Sequence, residues 1–578
     1  MSVFNPKIID ASIRDVTTDL ADTQKVDVLI YAMQHLHLER SRALIENAAE
    51  SCLRLPKLSP ELSNKALLLR AKARLAANLH TSAHQDLETI LRADPDHSEA
   101  RALMGRAAQR KSNHLPGFST EIWREIALSL PRRDLKTLLS VPHVLSRIAS
   151  QLLFRQIDLH FTSDRQHSQR SADILTRIIT DPSFAFHVRT LRLFVPGRDI
   201  FPMTFQTGIL ANALPKLTNL RNVHCSMRWK DIASFMRILE SVHHRLYGLS
   251  LVPTDGTGEL RFPKFKHINQ FTYSATGGPP DEVYAFLHQN KSSLRAVHLQ
   301  NPTWPFPSER LAIRNLTHLD FSGALAQDAT ALADILRLGV QLESLRLHVS
   351  LECRASAQLR DHLQALPFLR HFAFALHGQC AHDPDLFPAL TDFLRGRTHL
   401  HSLQLTVPNA DWAQRRLGYD ANVWGVLPSL TGLKSLNVTL PKDVAAPVAM
   451  WLVPRGVTTL SLHSLTAGDP VSFVSQLRNG LPPNLRFIGL SSFHVEDVVA
   501  VISHGFPMVR VARIEDTFYT VDHAEAAKGV NGVVKEGQGG EVVHVEEWPK
   551  SRALYHSAEW LEWYGCEHAE WRNPTEFY

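Results

Sequence analysis

One spacing recurs along more than half of the chain and leaves little choice of architecture. From residue 188 onward, apolar residues follow the pattern apolar-x-x-apolar-x-apolar thirteen times. The first units are Val188/Leu191/Leu193, Leu220/Val223/Cys225, Leu246/Leu249/Leu251 and Ile268/Phe271/Tyr273. The central ones are Leu294/Val297/Leu299, Leu316/Leu319/Phe321, Leu342/Leu345/Leu347 and Leu369/Phe372/Phe374. Leu400/Leu403/Leu405, Leu433/Leu436/Val438, Val457/Leu460/Leu462, Leu485/Ile488/Leu490 and Val509/Ala512/Ile514 complete the set. The last two apolar positions of each unit are two residues apart, so both fall on one face of a short strand. Between units lie stretches with apolar residues three or four apart: Asp231–Val242, Asp281–Gln289, Asp328–Leu338, Ala357–Leu366 and Val471–Leu477. Several follow an Asp able to cap a first helical turn. Short strand then helix, repeated without pause, predicts an α/β solenoid over 185–515 in which each unit buries its neighbour's apolar edge.

The unit length brackets the usual range of about 20–29 residues, and the pattern resembles a leucine-rich-repeat horseshoe. The Asn that follows the strand in that family is missing throughout, so the turns there must satisfy their backbone groups in another way. The resemblance implies that strands line a concave face, with the side chains between the apolar positions pointing into it. His298, His318, Asp320, Arg346, His348, His371 and Gln404 hold such positions in the central units. They are the expected substrate-binding residues.

Upstream the chain is helical. Between 23 and 111, Leu44, Ala48, Leu55 and Pro60 align with Leu79, Ala83, Ile90 and Pro95 at a step of 35. This resembles tetratricopeptide repeats, and a plain array of helical hairpins fits the same residues. Residues 1–22 are expected to be a flexible N-terminal segment.

Residues 115–160 then permit three short amphipathic helices. Ile122, Ile126 and Leu130 recur at four-residue steps, as does Trp123 with Ala127. Pro131 can end one helix and open the next, with Leu135, Leu138 and Leu139 inward. Leu145, Ile148, Leu152 and Leu153 line a third. About 45 residues bury too little surface to stand alone. The segment resembles an F-box, the module that docks a cullin–RING ubiquitin ligase through its Skp adaptor. Leu115, Pro116, Glu121, Ile122, Ile126, Leu130, Pro131, Asp134, Leu135 and Val141 match, and Leu145 stands in the usual aromatic slot. Two extra residues separate the Leu-Pro pair from Glu-Ile, and Pro142 replaces the commoner small polar residue.

Composition agrees with a non-catalytic reading. Hydrophobic residues make up 44% and charged residues 21% of 578, as in an ordinary globular chain. The formal charge of +5 is too small to argue for nucleic acid, although 101–170 hold twelve Lys/Arg against five Asp/Glu. The five cysteines lie far apart, and neither disulfide nor zinc spacing appears. No phosphate loop, dinucleotide fingerprint, GxSxG or HExxH is present. His35/His37, His243/His244, Cys380/His382 and Cys566/His568 supply two ligands each where a metal needs about four.

The start, MSVFNPKIID, lacks a secretory layout, and no apolar run approaches membrane-spanning length. The expectation is therefore a non-catalytic substrate receptor of an SCF-type ligase in the cytoplasm or nucleus. Its partners would be a Skp-type adaptor, a cullin scaffold and a protein substrate, with no cofactor, metal, nucleic acid or membrane. A pure interaction scaffold is the alternative, and a repeat protein presenting Arg346 to a nucleotide site is a third reading. Residues 161–184 read as a linker with some helix. Residues 516–578 read as an acidic, Trp-rich cap or tail around a flexible 529–540 loop, with a helix from Ala553 to Tyr564 turning Leu554, Leu561 and Tyr564 toward the repeats.

Overall fold

A computed structural model describes residues 17–56, 58–77, 79–111, 119–130, 132–141, 144–161, 165–195, 204–242, 246–255, 261–326, 330–378, 380–465, 469–523 and 543–570. Leu115, Pro116, Pro131, most of the N-terminal segment and the 529–540 loop lie outside them. The chain forms two compact units, one of residues 1–128 with 139–148 and one of 129–138 with 149–578.

The first unit contains α1 (Asp22–His35), α2 (Leu38–Leu53), α3 (Pro60–Ala76), α4 (His80–Ala93) and α5 (Ser98–Lys111). Neighbouring helices pack in sequence order. Small residues Ala49, Ala66, Ala71, Ala73 and Ala83 are buried, which lets the backbones approach closely. A charge cluster joins three helices: Arg70 and Arg74 both bond buried Asp86, and Arg74 also reaches Glu46 at 2.7 Å. Of the residues that align at the 35-residue step, Leu44 and Leu79 are exposed, so this pair packs no repeat interface.

The helical segment that follows gives α6 (Thr120–Leu128), α7 (Arg132–Leu138) and α8 (Val144–Leu153). The three helices read from the sequence are present, but the segment is shared between the two units rather than forming one module.

Among the described residues, the second unit is built on one sheet of sixteen strands in strict sequence order. β1 (Gln156–His160), β2 (Thr190–Phe194), β3 (Asn222–Met227), β4 (Gly248–Pro253), β5 (Gln270–Ser274), β6 (Ala296–Pro305) and β7 (His318–Leu325) open it. β8 (Ser344–Leu351), β9 (His371–Leu376), β10 (Ser402–Thr406), β11 (Ser435–Thr439), β12 (Thr459–His463), β13 (Phe487–Ser491) and β14 (Val511–Ile514) continue it. These fourteen are parallel. β15 (Thr517–His523) and β16 (Val543–Glu547) are antiparallel additions at the end. Every one of the thirteen sequence units carries a strand, and its apolar residues are buried in one continuous core with the intervening helices.

The register shows how the turns manage without the missing Asn. The N–H after a strand bonds the next strand's carbonyl, as in Phe161 to Phe194, Val195 to Ser226 and Ala275 to Gln300. Side chains supply the rest: Asp383 accepts from the Ser356 N–H and hydroxyl, and Glu515 accepts from the Phe493 N–H at 2.7 Å.

Several sequence expectations need correction. The sheet begins at Gln156, not near 185, because Phe154/Ile157/Leu159 already has the repeat spacing. The expected linker 161–184 contains helices Arg165–Thr180 and Pro182–His187, whose Leu175, Ile178 and Phe184 enter the repeat core. Asp231 and Asp281 sit inside first turns instead of capping them: Asp231 accepts from Arg228, and Pro280 precedes Asp281 without a side-chain cap. Among the described residues of the second unit, side-chain caps are Asp181, Asn409, Asp420, Asp469 and Asp497, and Asp469 caps the helix expected at Val471–Leu477. The C-terminal helix is two helices, Lys550–Tyr555 and Ser557–Trp563, broken at His556.

Candidate functional site

Within each strand the residues alternate with the buried leucines, so they stand on the opposite face of the sheet. Parallel in-register pairing then aligns them into three rows across neighbouring strands. The sequence suggested one column; the structure resolves it into these rows. His298, Asp320, Arg346 and Gln404 share the middle row, His318 and His371 the first, and His348 the third.

The middle row brings three predicted residues together. Asp320, itself buried, lies 3.4 Å from His298 Nδ1 and accepts from Arg346 Nη1 at 3.4 Å. Arg346 is thereby tied to the sheet, which argues against a role as a projecting finger in another protein's site. Gln404 is separated from this group by Ala373 in the same row. His318 instead bonds Thr317 at 2.8 Å. His348 meets His377 edge-on at 4.7 Å, and His371 meets His401 at 6.2 Å.

The same rows extend to residues not singled out from the sequence. In the middle row Arg192 donates twice to Asp158, at 2.8 and 2.5 Å, and His224 bonds Ser250 at 2.8 Å. Farther along, His463 bonds Asn437 at 2.5 Å. The signal that locates Asp158, Arg192, His224, Ser250 and Asn437 is the position between the two strand leucines, applied beyond the central units, whereas His463 follows the second of them. A shallow cleft of about 440 Å³ lies along the third row, lined by Val252, Ser274, Gln300, Ser322, His348 and His377. Its lining offers hydroxyl, amide and imidazole groups, which suit hydrogen bonding to a peptide. Among the described residues no three His, Cys, Asp or Glu side chains converge as a metal site requires, and no helix is long and apolar enough to cross a membrane.

Burial is the leading cause that lowers His160, His224, His348, His371 and His463 from 6.5 to about 4. These imidazoles are neutral at pH 7. The unfolded chain takes up their protons near 6.5 and the folded chain only near 4, so the unfolded state binds more protons in between. Their contribution is thus intact above pH 6.5 and is lost as pH falls toward 4. Asp158, held below 3.8 by Arg192 against the opposing effect of its burial, adds its loss only beneath that window. Thermal unfolding should show a constant Tm from pH 7 to 8 and a fall of about 5 °C or more by pH 4.5. An unchanged Tm across that range would contradict the burial of this histidine face.

The expected docking segment has a different character. Ile122 and Ile126 are 46% and 39% exposed, and Leu128, Leu139 and Val141 are exposed too. The buried residue of α6 is Ala127, with Trp123 half-buried beside it in the four-residue pattern. Leu135, expected at the docking face, is only 8% exposed. Leu139 is exposed instead of inward. Leu130 and Leu145 are half-buried and Glu121 is exposed.

No protein-family model matches the chain, and no curated protein matches it. Among solved structures, it is similar to the leucine-rich repeat-containing protein LegL7 from Legionella pneumophila. That match has 12% identity and a TM-score of 0.24, and covers 60% of this chain and 95% of that one. The α/β solenoid rests on the strand order and register themselves.

Proposed function

We propose that the chain is the substrate-recognition subunit of an SCF-type ubiquitin ligase. In this reading α6–α8 dock a Skp-type adaptor on a cullin scaffold, and the leucine-rich-repeat sheet holds a protein substrate. The observation that carries the proposal is the apolar exposure of Ile122, Ile126, Leu128, Leu139 and Val141 in the F-box-like segment. An isolated exposed Leu is ordinary, but five large apolar side chains within twenty residues of one another suit a partner contact. Such a subunit needs no catalytic group of its own. It acts by proximity, raising the effective concentration of substrate near the ubiquitin-loaded enzyme.

Tagged full-length chain purified from cells with the proteasome blocked should bring down adaptor, cullin and a trapped substrate. Asp320→Lys with Arg346→Glu should lose the substrate while keeping the adaptor, because the substitution alters the middle row alone. Recovery of substrate without adaptor would favour the scaffold reading. Equal substrate recovery by the double variant would move the binding surface elsewhere.

A further inference from the structure

The residue that leads each strand forms a ladder along one edge of the sheet. On β9 to β14 the leading residues are Arg370, His401, Lys434, Thr458, Arg486 and Arg510. Each N–H donates to the preceding leader's carbonyl at 2.7–2.8 Å, which holds these side chains one strand spacing apart. Five of the six are basic residues, and all five are exposed. Glu343 leads β8 and ends the run, and its charge acts on His318.

Part of this edge already carries a peptide, the chain's own C-terminal segment. Arg510 Nη1 donates to the Tyr564 carbonyl at 3.3 Å, and Arg486 Nη1 to the Gly565 carbonyl at 3.4 Å. Ser435 and Thr459 hold the His568 carbonyl. The segment 559–570 has four glutamates and no Lys or Arg. Among the described residues Arg370 and Lys434 have no ion-pair partner, and the strongest electrostatic influences on His401 are all positive: Arg370, His568, Lys434 and His399. Phe368, two residues before Arg370, is 63% exposed.

We infer that Arg370, His401 and Lys434 form a docking strip for an acidic, extended peptide segment of a protein partner. Arg370 and Lys434 are two strand spacings apart, about 9.6 Å. Carboxylates three residues apart in a segment with polyproline II geometry lie on one face about 9.3 Å apart, so such a segment can meet both cations and leave His401 between them. Phe368 offers the ring that an apolar residue of the segment would cover. A nucleic acid fits less well, because Glu343 interrupts the basic run and the neighbouring bound segment is itself acidic peptide. The inference names a partner chemistry for the repeat unit and stands whether or not α6–α8 dock an adaptor.

Fluorescence anisotropy of the full chain tests it, using a labelled twelve-residue peptide with glutamates at three-residue spacing, its glutamine counterpart, and a single-stranded DNA of similar length. The glutamate peptide should bind at least tenfold more tightly than the glutamine peptide. Arg370→Glu with Lys434→Glu should weaken it at least tenfold, whereas Arg189→Glu with Arg221→Glu on the leaders of β2 and β3 should not. Should the reversed charges lower Tm, Arg370→Gln with Lys434→Gln replaces them, with the same expectation. Equal binding of the two peptides, no measurable binding of the glutamate peptide, or an unaffected double variant would overturn the strip. Tighter binding of the DNA, lost in the same variant, would make it a nucleic-acid surface instead. Adaptor pull-down by the double variant should equal that of the native chain, which separates this test from the ligase proposal.

Discussion

Replacing Ile122 and Ile126 with Asp should abolish adaptor and cullin co-purification without unfolding the chain. Both side chains are exposed on α6, so the substitutions remove little packing. Surface changes of this kind alter stability by about 0.5 kcal/mol or less. At a docked interface each buried carboxylate would cost about 2 kcal/mol or more. Together they would weaken binding by about three orders of magnitude. Leu135→Asp looks equivalent in the sequence but is uninformative, because it would put a charge into a site that is already buried in the chain itself. Retained partners with an unchanged Tm in the Ile122/Ile126 double variant would remove α6 from the docking surface.

Deleting residues 541–578 should destabilise the last repeats strongly. The end of a parallel solenoid leaves an apolar strand edge in water. Here β15 and β16 cover it, and a separate core forms from Phe487, Val511, Phe518, Trp548, Leu561 and Cys566. Phe518 stacks on Trp548 at 5.0 Å, the Trp548 indole N–H donates to Thr520 at 2.8 Å, and Arg552 lies 4.0 Å over Trp560.

The same segment returns to the first strand. Lys136 pairs with Glu559 at 2.9 Å, and His556 stands 6.3 Å from His160 on β1. Fully burying each large apolar side chain is worth about 1.5–3 kcal/mol, so the truncated chain should lose several kcal/mol from its terminal strands. A fall of about 5 °C or more in Tm and rapid proteolysis after β12 are the expected results. An unchanged melt with loss of bound substrate would make the segment a recognition element instead.

The repeat sheet was legible because its signal is local and redundant. A spacing read thirteen times locates strands even where one unit, such as Val509/Ala512/Ile514, is weak. β1 is harder to see although Phe154/Ile157/Leu159 fits the same rule, since those residues also fit the end of a helical module. Exposure was less legible. Ile122 and Leu135 are both apolar residues at helical spacing, and only tertiary packing makes one a surface and the other a core residue. The rows of the candidate site depend on register across strands twenty or more residues apart. The alternation in each strand tells that His298, Asp320 and Arg346 face one way. That Asp320 sits between the other two follows only from the pairing of β6, β7 and β8. The basic edge was missed for a related reason: its members stand one per repeat, so no window of sequence appears charged.

Titration of purified Skp-type adaptor into the full-length chain by calorimetry tests the ligase-receptor proposal most directly. A saturable one-to-one complex of submicromolar Kd, lost in the Ile122→Asp/Ile126→Asp variant, is the predicted result. No binding heat from a folded chain at any adaptor concentration up to about 100 micromolar, some 5.5 kcal/mol of affinity, would contradict it.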